Sequence, residues 1–580
     1  MPEPRKKGSV LWLAAIIAIG SFLRFYGIRF GLPYLYHQDE PVTVGVALKF
    51  GTGSLNPHYF AHPHLLHYGL FGCYGVMFLI GLLFRSWRSV LEFQELFFRD
   101  PSLVYGVGRG FCAFLGTASV LVIYDYGKRL YGRIAGLLAA LFLGTSFLHV
   151  RSSHYVRHDI PVLFMILLSS LAIIHFWENG GRKESFFAGL LSGLTVATNW
   201  NGAILLAPLL LALFLRHDAP KTLLLNLAAV CGGGLIGLFA GSPFLFLDLQ
   251  GSLREFGRLS SSLIPSRHTG YVLKRGLIHT GWSSYLFHYL RIGMGWPLEI
   301  LGVLGTFLLL IRGRKQDLVF LSVPILYFYL IGRAHSSVRA EYILPVLPYL
   351  YVSAAALLVW IMEQMKQAER LACFGLFVPL LIAAPTLQCL RHDYLITLKD
   401  TRTLAKEWVE QSVPPGSKIA MERYIALRSW FPPLLETEAQ NLKMVHAIRQ
   451  NDPSKGKMRE GLSFQKSPFP RYTLIDITPG HRILDEFESE YSLSALLKKK
   501  VDYVILSSFV SDFKREARSP EVSQFYKELH EKGHLIKRFT PFKEGVSDER
   551  QDHASYTPLD RLDLLERPGP VIEIYALRGR

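Results

Sequence analysis

Charged side chains are scarce in this chain. Asp, Glu, Lys and Arg make up 19% of its 580 residues, against 50% that are hydrophobic. An ordinary soluble domain carries ~25% charged residues, so a purely soluble protein of this length is excluded. Cysteine is sparse too: Cys73, Cys112, Cys231, Cys373 and Cys389 all fall in or beside apolar segments, with no C-x-x-C pair. That spacing offers neither a disulfide framework nor a cysteine-built zinc site. Acidic residues are outnumbered by basic ones, and the formal charge is +17. Only about +3 of this falls between Arg391 and Arg580. The basic excess therefore belongs to the apolar part, as membrane loops facing anionic headgroups or lipid phosphates require, and it argues against a nucleic-acid partner. The C-terminal third lacks G-x-G-x-x-G, P-loop, H-E-x-x-H and G-x-S-x-G patterns, so no chemistry is placed there.

What is present is a succession of about twelve apolar runs between Ser9 and Gln388, each near the ~20 residues a bilayer crossing needs. The first follows a basic Met1–Lys7. It lacks a small-x-small cleavage site and is interrupted by Arg24, so it reads as an uncleaved span. If every run crossed, Lys128, Arg129 and Arg133 would lie on the outer face, against the positive-inside rule. Demoting the run Leu66–Phe84 to an interfacial or re-entrant helix removes the conflict. The inner loops then carry Lys128, Arg129 and Arg133; Arg182 and Lys183; Arg216 and Lys221; Arg312, Arg314 and Lys315; and Lys366 and Arg370.

About eleven spans result, starting inside, which puts everything after residue 390 outside. The expected architecture is an α-helical polytopic membrane domain over residues 1–390 and a soluble extracytoplasmic α/β domain over 391–580. The short runs flanking Asn199, Trp200 and Asn201 are the point on which this topology turns, since fusing them inverts all that follows. On the outer face it collects a long first loop, residues 29–102, the loop Arg151–His158, the loop Asp248–Trp296, and a turn holding Arg333, His335 and Arg339.

The soluble part opens with an amphipathic helical pattern, Thr401–Gln411, ended by Pro414, Pro415 and Gly416. β-like runs follow at Lys418–Met421, Tyr472–Ile477, Tyr503–Leu506 and Val571–Tyr575, with a helical stretch at Glu521–His530.

Two acids stand where charge needs a reason. Asp39, followed by Glu40, lies just after the first span in Tyr-His-Gln-Asp-Glu-Pro, and Asp159 opens an apolar run in Tyr-Val-Arg-His-Asp-Ile-Pro. Either acid can simply cap a helix; equally, a carboxylate at a membrane boundary can serve as a general base. Charge parity brings both to one membrane face, where two carboxylates and several arginines can share a cavity. Arg333 and Arg339 can simply snorkel from span ends, and Arg24 and Arg109 can serve lipid headgroups or helix packing. His58, His62, His64 and His67 have spacings compatible with a metal, but no ligand geometry is fixed by them, and a divalent metal is not favoured.

The order of short motifs is more specific than any one of them. Asp39-Glu40, Ala61-His62-Pro63-His64-Leu65, Val107-Gly108-Arg109, Tyr126-Gly127-Lys128-Arg129-Leu130-Tyr131-Gly132, Ser153 to Asp159, Arg339-Ala340-Glu341-Tyr342-Ile343-Leu344-Pro345 and Asp400-Thr401-Arg402 follow one another. This series resembles the protein O-mannosyltransferase and aminoarabinose transferase superfamily, with its membrane GT-C fold (glycosyltransferase family 39-like).

The resemblance implies a glycosyltransferase that moves one sugar, mannose-like or pentose-like, from a polyprenyl phosphate to a protein, lipid or glycan acceptor. Asp39 matches the family's essential acid and would be the base; Asp159 matches its second acid and would orient or bind the sugar. Arg339, with Arg333 and His62, would hold the phosphate, and Glu40, Arg157 and Tyr342 would complete the substrate site. Two positions depart from the pattern: Thr198-Asn199-Trp200-Asn201-Gly202 stands where many relatives carry a Lys, and His64 replaces a second proline. The competing readings are a transporter or flippase for lipid-linked sugars, for which no internal repeat is evident, and a polysaccharide ligase or polymerase.

Overall fold

In hydrocarbon no water is available to satisfy backbone donors and acceptors, so apolar runs of this length fold as helices. The computed structural model describes residues 6–216, 218–263, 281–333, 338–367, 369, 373–422, 429–451, 469–477, 490–510, 520–546 and 559–577. Among these, 7 helices are long and apolar enough to cross a bilayer: Gly8–Phe25, Leu65–Leu83, Ser102–Tyr131, Asp159–Asn179, Pro220–Gly241, Lys315–Arg333 and Ala340–Glu363. An eighth crossing arises if Gly281–Met294 and Trp296–Arg312, bent by 118° at Gly295, act as one. The run Leu66–Phe84, expected at the interface, forms the 19-residue apolar helix Leu65–Leu83. Its length and composition therefore do not set it apart from the other crossing helices; only the charges flanking it did.

The segment about Asn199 stays broken. Asn199 is extended (φ −160°, ψ 145°) and ends the helix Arg182–Thr198. Its side chain accepts from the Asn201 backbone N–H at 3.0 Å to start the next turn. A short apolar helix, Trp200–Leu215, follows.

The chain divides into two compact units. One comprises Met1–Ile28, Val42–Val76 and Val107–Leu390; the other comprises Arg29–Pro41, Met77–Gly106 and Arg391–Arg580. Parts of the first long loop thus group with the C-terminal residues.

In the first unit the helices Arg182–Thr198 and Pro220–Gly241 approach backbone to backbone along glycines. A Cβ at Gly189 would lie 2.2 Å from the Val230 carbonyl oxygen, and one at Gly193 2.1 Å from that of Gly234. From the partner helix, a Cβ at Gly233 or Gly237 would meet the Phe186 or Leu190 carbonyl, each at 2.2 Å. Small residues four apart are how helices in lipid gain close dispersion contact where no hydrophobic drive exists. Arg24, 0% exposed, is a packing residue. Its guanidinium donates to the Gly20, Leu143 and Gly144 carbonyls and contacts His149 Nδ1, capping the end of helix Arg133–Gly144. Arg109 is equally buried and donates to the Ile28 carbonyl.

The second unit contains a six-stranded mixed sheet, with β1 Lys418–Met421, β2 Leu435–Glu436, β3 Arg471–Asp476, β4 Tyr503–Ser507, β5 His534–Phe539 and β6 Ile572–Ala576. The order is β2-β3-β1-β4-β6-β5; β1, β2, β3 and β4 pair in parallel, while β6 runs antiparallel to β4 and β5.

Alternation along each strand builds two cores. Ile419, Met421, Tyr472, Leu474, Ile505, Ile572 and Ile574 pack with Ala405 and Val409 of the helix Thr401–Ser412. On the opposite face Ala420, Ile475, Val504, Leu506 and Tyr575 pack with Leu496, Val522, Phe525 and Leu529. Helices on both faces of a largely parallel sheet make this an α/β unit. The strand β5 escaped the sequence reading because it is an edge strand with charged Lys537 and Arg538 and a mostly exposed pattern, the composition that blunts edges.

Candidate functional site

The acid–arginine cluster of the first unit is built where two helices begin. Asp159 is the first residue of helix Asp159–Asn179, a position at which the helix macrodipole alone favours an acid by ~0.3–1 kcal/mol. A chain of charges distinguishes Asp159 from a simple cap. Arg157 Nε lies 3.3 Å from Asp159 Oδ2, and its Nη1 donates to Glu341 Oε1 at 3.0 Å. Arg339 Nη1 is 3.9 Å from the same Glu341 oxygen.

Two carboxylates and two guanidiniums therefore alternate, Asp159, Arg157, Glu341, Arg339. Glu341 is 3% exposed and Arg339 30%. Such a set is neutral as a whole, so its buried members avoid the cost of an unpaired charge, while the more exposed Arg339 end remains accessible to an anion. The backbone supports this placement: Tyr342 N–H donates to the Arg339 carbonyl, opening a tight helical turn, Ala340–Val346, that leads into helix Leu347–Glu363.

Tyrosines surround the cluster. Buried Tyr327 lies within electrostatic reach of Asp159, Tyr285 and Tyr342, and Tyr285 within reach of Glu341 and Arg339. Asn201 Nδ2 donates to the Tyr327 hydroxyl at 3.1 Å. The Thr198–Gly202 connection, one of the two departures from the family pattern, thus places an uncharged amide beside the tyrosine that neighbours Asp159.

Histidines gather around His158, the residue between Arg157 and Asp159. The His62 ring stacks on His158 at 4.4 Å between centroids, and His67 meets His158 edge-on at 5.1 Å. Burial, reinforced by the neighbouring histidines and Arg157, holds His158 well below the usual histidine range, so this ring is neutral and stacks without repulsion.

His64, the second departure, is a structural peg. Its Nε2 faces the Tyr59 carbonyl at 2.9 Å and its Nδ1 the Ser242 hydroxyl at 2.7 Å. A carbonyl only accepts, so Nε2 carries the proton and Ser242 donates to Nδ1. Burial lowers this histidine to about 4, which fixes the neutral form. Among the described residues, the nitrogens of His62, His64, His67 and His158 do not converge on a metal-sized site.

The other proposed residues fall elsewhere. Asp39 and Glu40 belong to Arg29–Pro41 of the second unit. Asp39 is half-buried just before helix Glu40–Lys49, and its backbone N–H donates to His37 Nδ1 at 3.3 Å. Glu40 is fully buried. Arg333 is exposed at the end of helix Lys315–Arg333, with its guanidinium over Tyr329 at 5.8 Å; among the described residues no ion pair joins it to the Asp159 chain. His335 lies outside the described residues. Glu341 is the residue that sequence reasoning passed over. Its signal was present in Arg-Ala-Glu-Tyr, an acid at the head of an apolar run.

The family model described as dolichyl-phosphate-mannose-protein mannosyltransferase matches residues 106–246, a segment that contains Arg157, His158 and Asp159. The crystal structure of ArnT from Cupriavidus metallidurans in the apo state is similar over 100% of this chain and 100% of its own, at 12% identity and a TM-score of 0.52. The same protein bound to undecaprenyl phosphate is similar over 99% and 100%, at 13% identity and a TM-score of 0.50. The Archaeoglobus fulgidus oligosaccharyltransferase in the apo form aligns over 94% of this chain and 75% of its own, at 12% identity and a TM-score of 0.49. No curated protein matches the sequence. The mannosyltransferase signature thus covers residues 106–246, and the fold is shared with ArnT along the whole length of the chain.

Proposed function

We propose that this protein transfers one sugar, mannose-like or pentose-like, from a polyprenyl-phosphate donor to a protein, lipid or glycan acceptor on the extracytoplasmic side, with inversion at the anomeric carbon. The observation that carries the reading is the Asp159–Arg157–Glu341–Arg339 chain, which begins inside the family-matched segment. The undecaprenyl phosphate bound by ArnT supports the donor class.

In this mechanism Asp39 takes the proton of the acceptor as its oxygen attacks the anomeric carbon, a contribution of ~10²–10⁴-fold. The bond from that carbon to the phosphate oxygen breaks, and the leaving lipid phosphate is stabilised by cations. Arg339 is the first candidate for that role, because it is the more exposed cation of the chain. Asp159, held by Arg157, orients the sugar, with Tyr342 and His62 as further substrate contacts. Glu40 stands beside the base, and Arg333 is the weaker phosphate ligand.

Labelled polyprenyl-phosphate mannose and pentose, given to the purified protein in detergent with candidate acceptors, test the reaction. Asp39→Asn is expected to abolish transfer with expression and membrane insertion intact; full activity in that variant removes the base assignment. A phosphatase fused after Gln388 is expected to be active outside the cytoplasm, and a cytoplasmic signal sinks the topology.

A further inference from the structure

The segment that carries Asp39 is gripped by one helix of its own unit. Asp400 caps the helix Thr401–Ser412, accepting from the Arg402 backbone N–H. The same carboxylate takes two parallel hydrogen bonds from the Arg402 guanidinium, Nε to Oδ1 at 2.7 Å and Nη2 to Oδ2 at 2.6 Å. Nη1 donates to the Ser429 carbonyl. With its edge used in this way, the guanidinium plane is fixed, and its face lies 3.9 Å from the centre of the Tyr36 ring. The Tyr36 hydroxyl meets Thr403 Oγ1 at 2.6 Å. One turn on, Lys406 lies over Tyr34 at 5.4 Å and over Phe469 at 4.4 Å. The helix is itself anchored, since Thr401 donates to the Pro568 and Pro570 carbonyls.

Tyr36 is therefore held at both ends, ring and hydroxyl, and is 3% exposed. Burial pushes its phenol above the usual tyrosine range, with the Asp400 charge acting in the same direction, so the hydroxyl stays protonated. Tyr36 stands three positions before Asp39, so a grip on the tyrosine limits where the acid can go. A misplacement of the reacting group by about 1 Å costs ~10²-fold in rate.

We propose that the Arg402–Tyr36 stack and the Tyr36–Thr403 hydrogen bond position Asp39, so that the helix Thr401–Ser412 serves the reaction by fixing the chain that carries the base. This rests on the assignment of Asp39 as base. Tyr36, Arg402 and Thr403 are positioning residues in this scheme and touch no substrate.

Two readouts on the full-length protein in detergent test it. The first needs no substrate: hydrogen–deuterium exchange of residues 34–41 is expected to rise ~10-fold in Tyr36→Leu and to a lesser extent in Thr403→Val, with helix Thr401–Ser412 unchanged. Unchanged exchange in 34–41 overturns the proposal, and loss of protection throughout the unit assigns Tyr36 a merely structural role and overturns it too.

The second readout is kinetic. With labelled polyprenyl-phosphate mannose or pentose, Tyr36→Leu is expected to lower kcat by ~10–100-fold at unchanged donor KM. A wild-type kcat in Tyr36→Leu refutes positioning of Asp39. Full activity of Asp39→Asn alone instead refutes the base assignment, and the exchange result then stands or falls by itself. Because Arg402→Lys also disturbs the Asp400 pair, Tyr36→Leu and Thr403→Val carry the decision.

Discussion

Removing the charge of Glu341 while keeping its shape leaves Arg157 facing an amide across 3.0 Å. At an effective dielectric of ~20 the Coulomb attraction of unit charges at that distance is ~5 kcal/mol. Desolvation offsets part of it, and breaking a buried ion pair by deleting one partner costs ~3–5 kcal/mol overall. Glu341→Gln should fall near the lower end, because Arg157 keeps its contact with Asp159 at 3.3 Å. Arg157→Gln should cost at least as much, since both Asp159 and Glu341 lose a guanidinium contact.

The double variant Arg157→Gln with Glu341→Gln restores neutrality between the two positions, so it should be more stable than the sum of the single losses implies, by ~2 kcal/mol or more of coupling. Reversible unfolding in mixed micelles, followed by tryptophan fluorescence, measures all four corners of the cycle. Additive losses, or single costs under ~0.5 kcal/mol of the kind exposed pairs give, would refute a buried, mutually neutralising chain. The activity of the double variant then separates roles: stability restored without transfer means that Arg157 orients Asp159 as well as balancing Glu341.

The remaining predictions concern packing and pH. Gly193→Leu should separate the helices Arg182–Thr198 and Pro220–Gly241, because even a Cβ there meets the Gly234 oxygen at 2.1 Å. The expected loss exceeds the ~1–3 kcal/mol of ordinary overpacking and is read as a lower thermal midpoint in detergent, whereas Gly232→Ala, with open space around it, should be tolerated. His64 is lowered to about 4 in the folded protein, so the unfolded chain takes up its proton first as pH falls. Its contribution is complete above about pH 6.5 and is lost progressively between about 6.5 and 4, amounting to ~3 kcal/mol. Thermal midpoints measured across that window should fall less steeply in His64→Gln; equal slopes in both proteins would show that His64 does not titrate on unfolding.

Periodicity, charge and motif order determined much of this protein by themselves. Apolar runs of span length left helices as the only fold available in lipid, and the strands β1, β3, β4 and β6 stood out as short β-like runs between helical stretches. The family motifs placed Asp159 and Arg157 together because only His158 separates them in the chain.

Tertiary structure decided what lies beyond such local spacing. Glu341 is far from Arg157 in sequence, and only the meeting of two helix starts makes it the carboxylate shared by Arg157 and Arg339. His64 reads as a metal candidate until Ser242 and the Tyr59 carbonyl occupy both of its nitrogens. Arg24 and Arg109 read equally well as lipid ligands until burial shows them capping carbonyls. Nor does anything in the sequence around Tyr36 announce Arg402, some 360 residues away, because a cation–π stack depends on where two segments meet and leaves no periodic trace in either. Hydrophobic pattern and helix length are properties of adjacent residues, readable in one dimension; a hydrogen bond or ion pair between distant residues forms only once folding supplies the third.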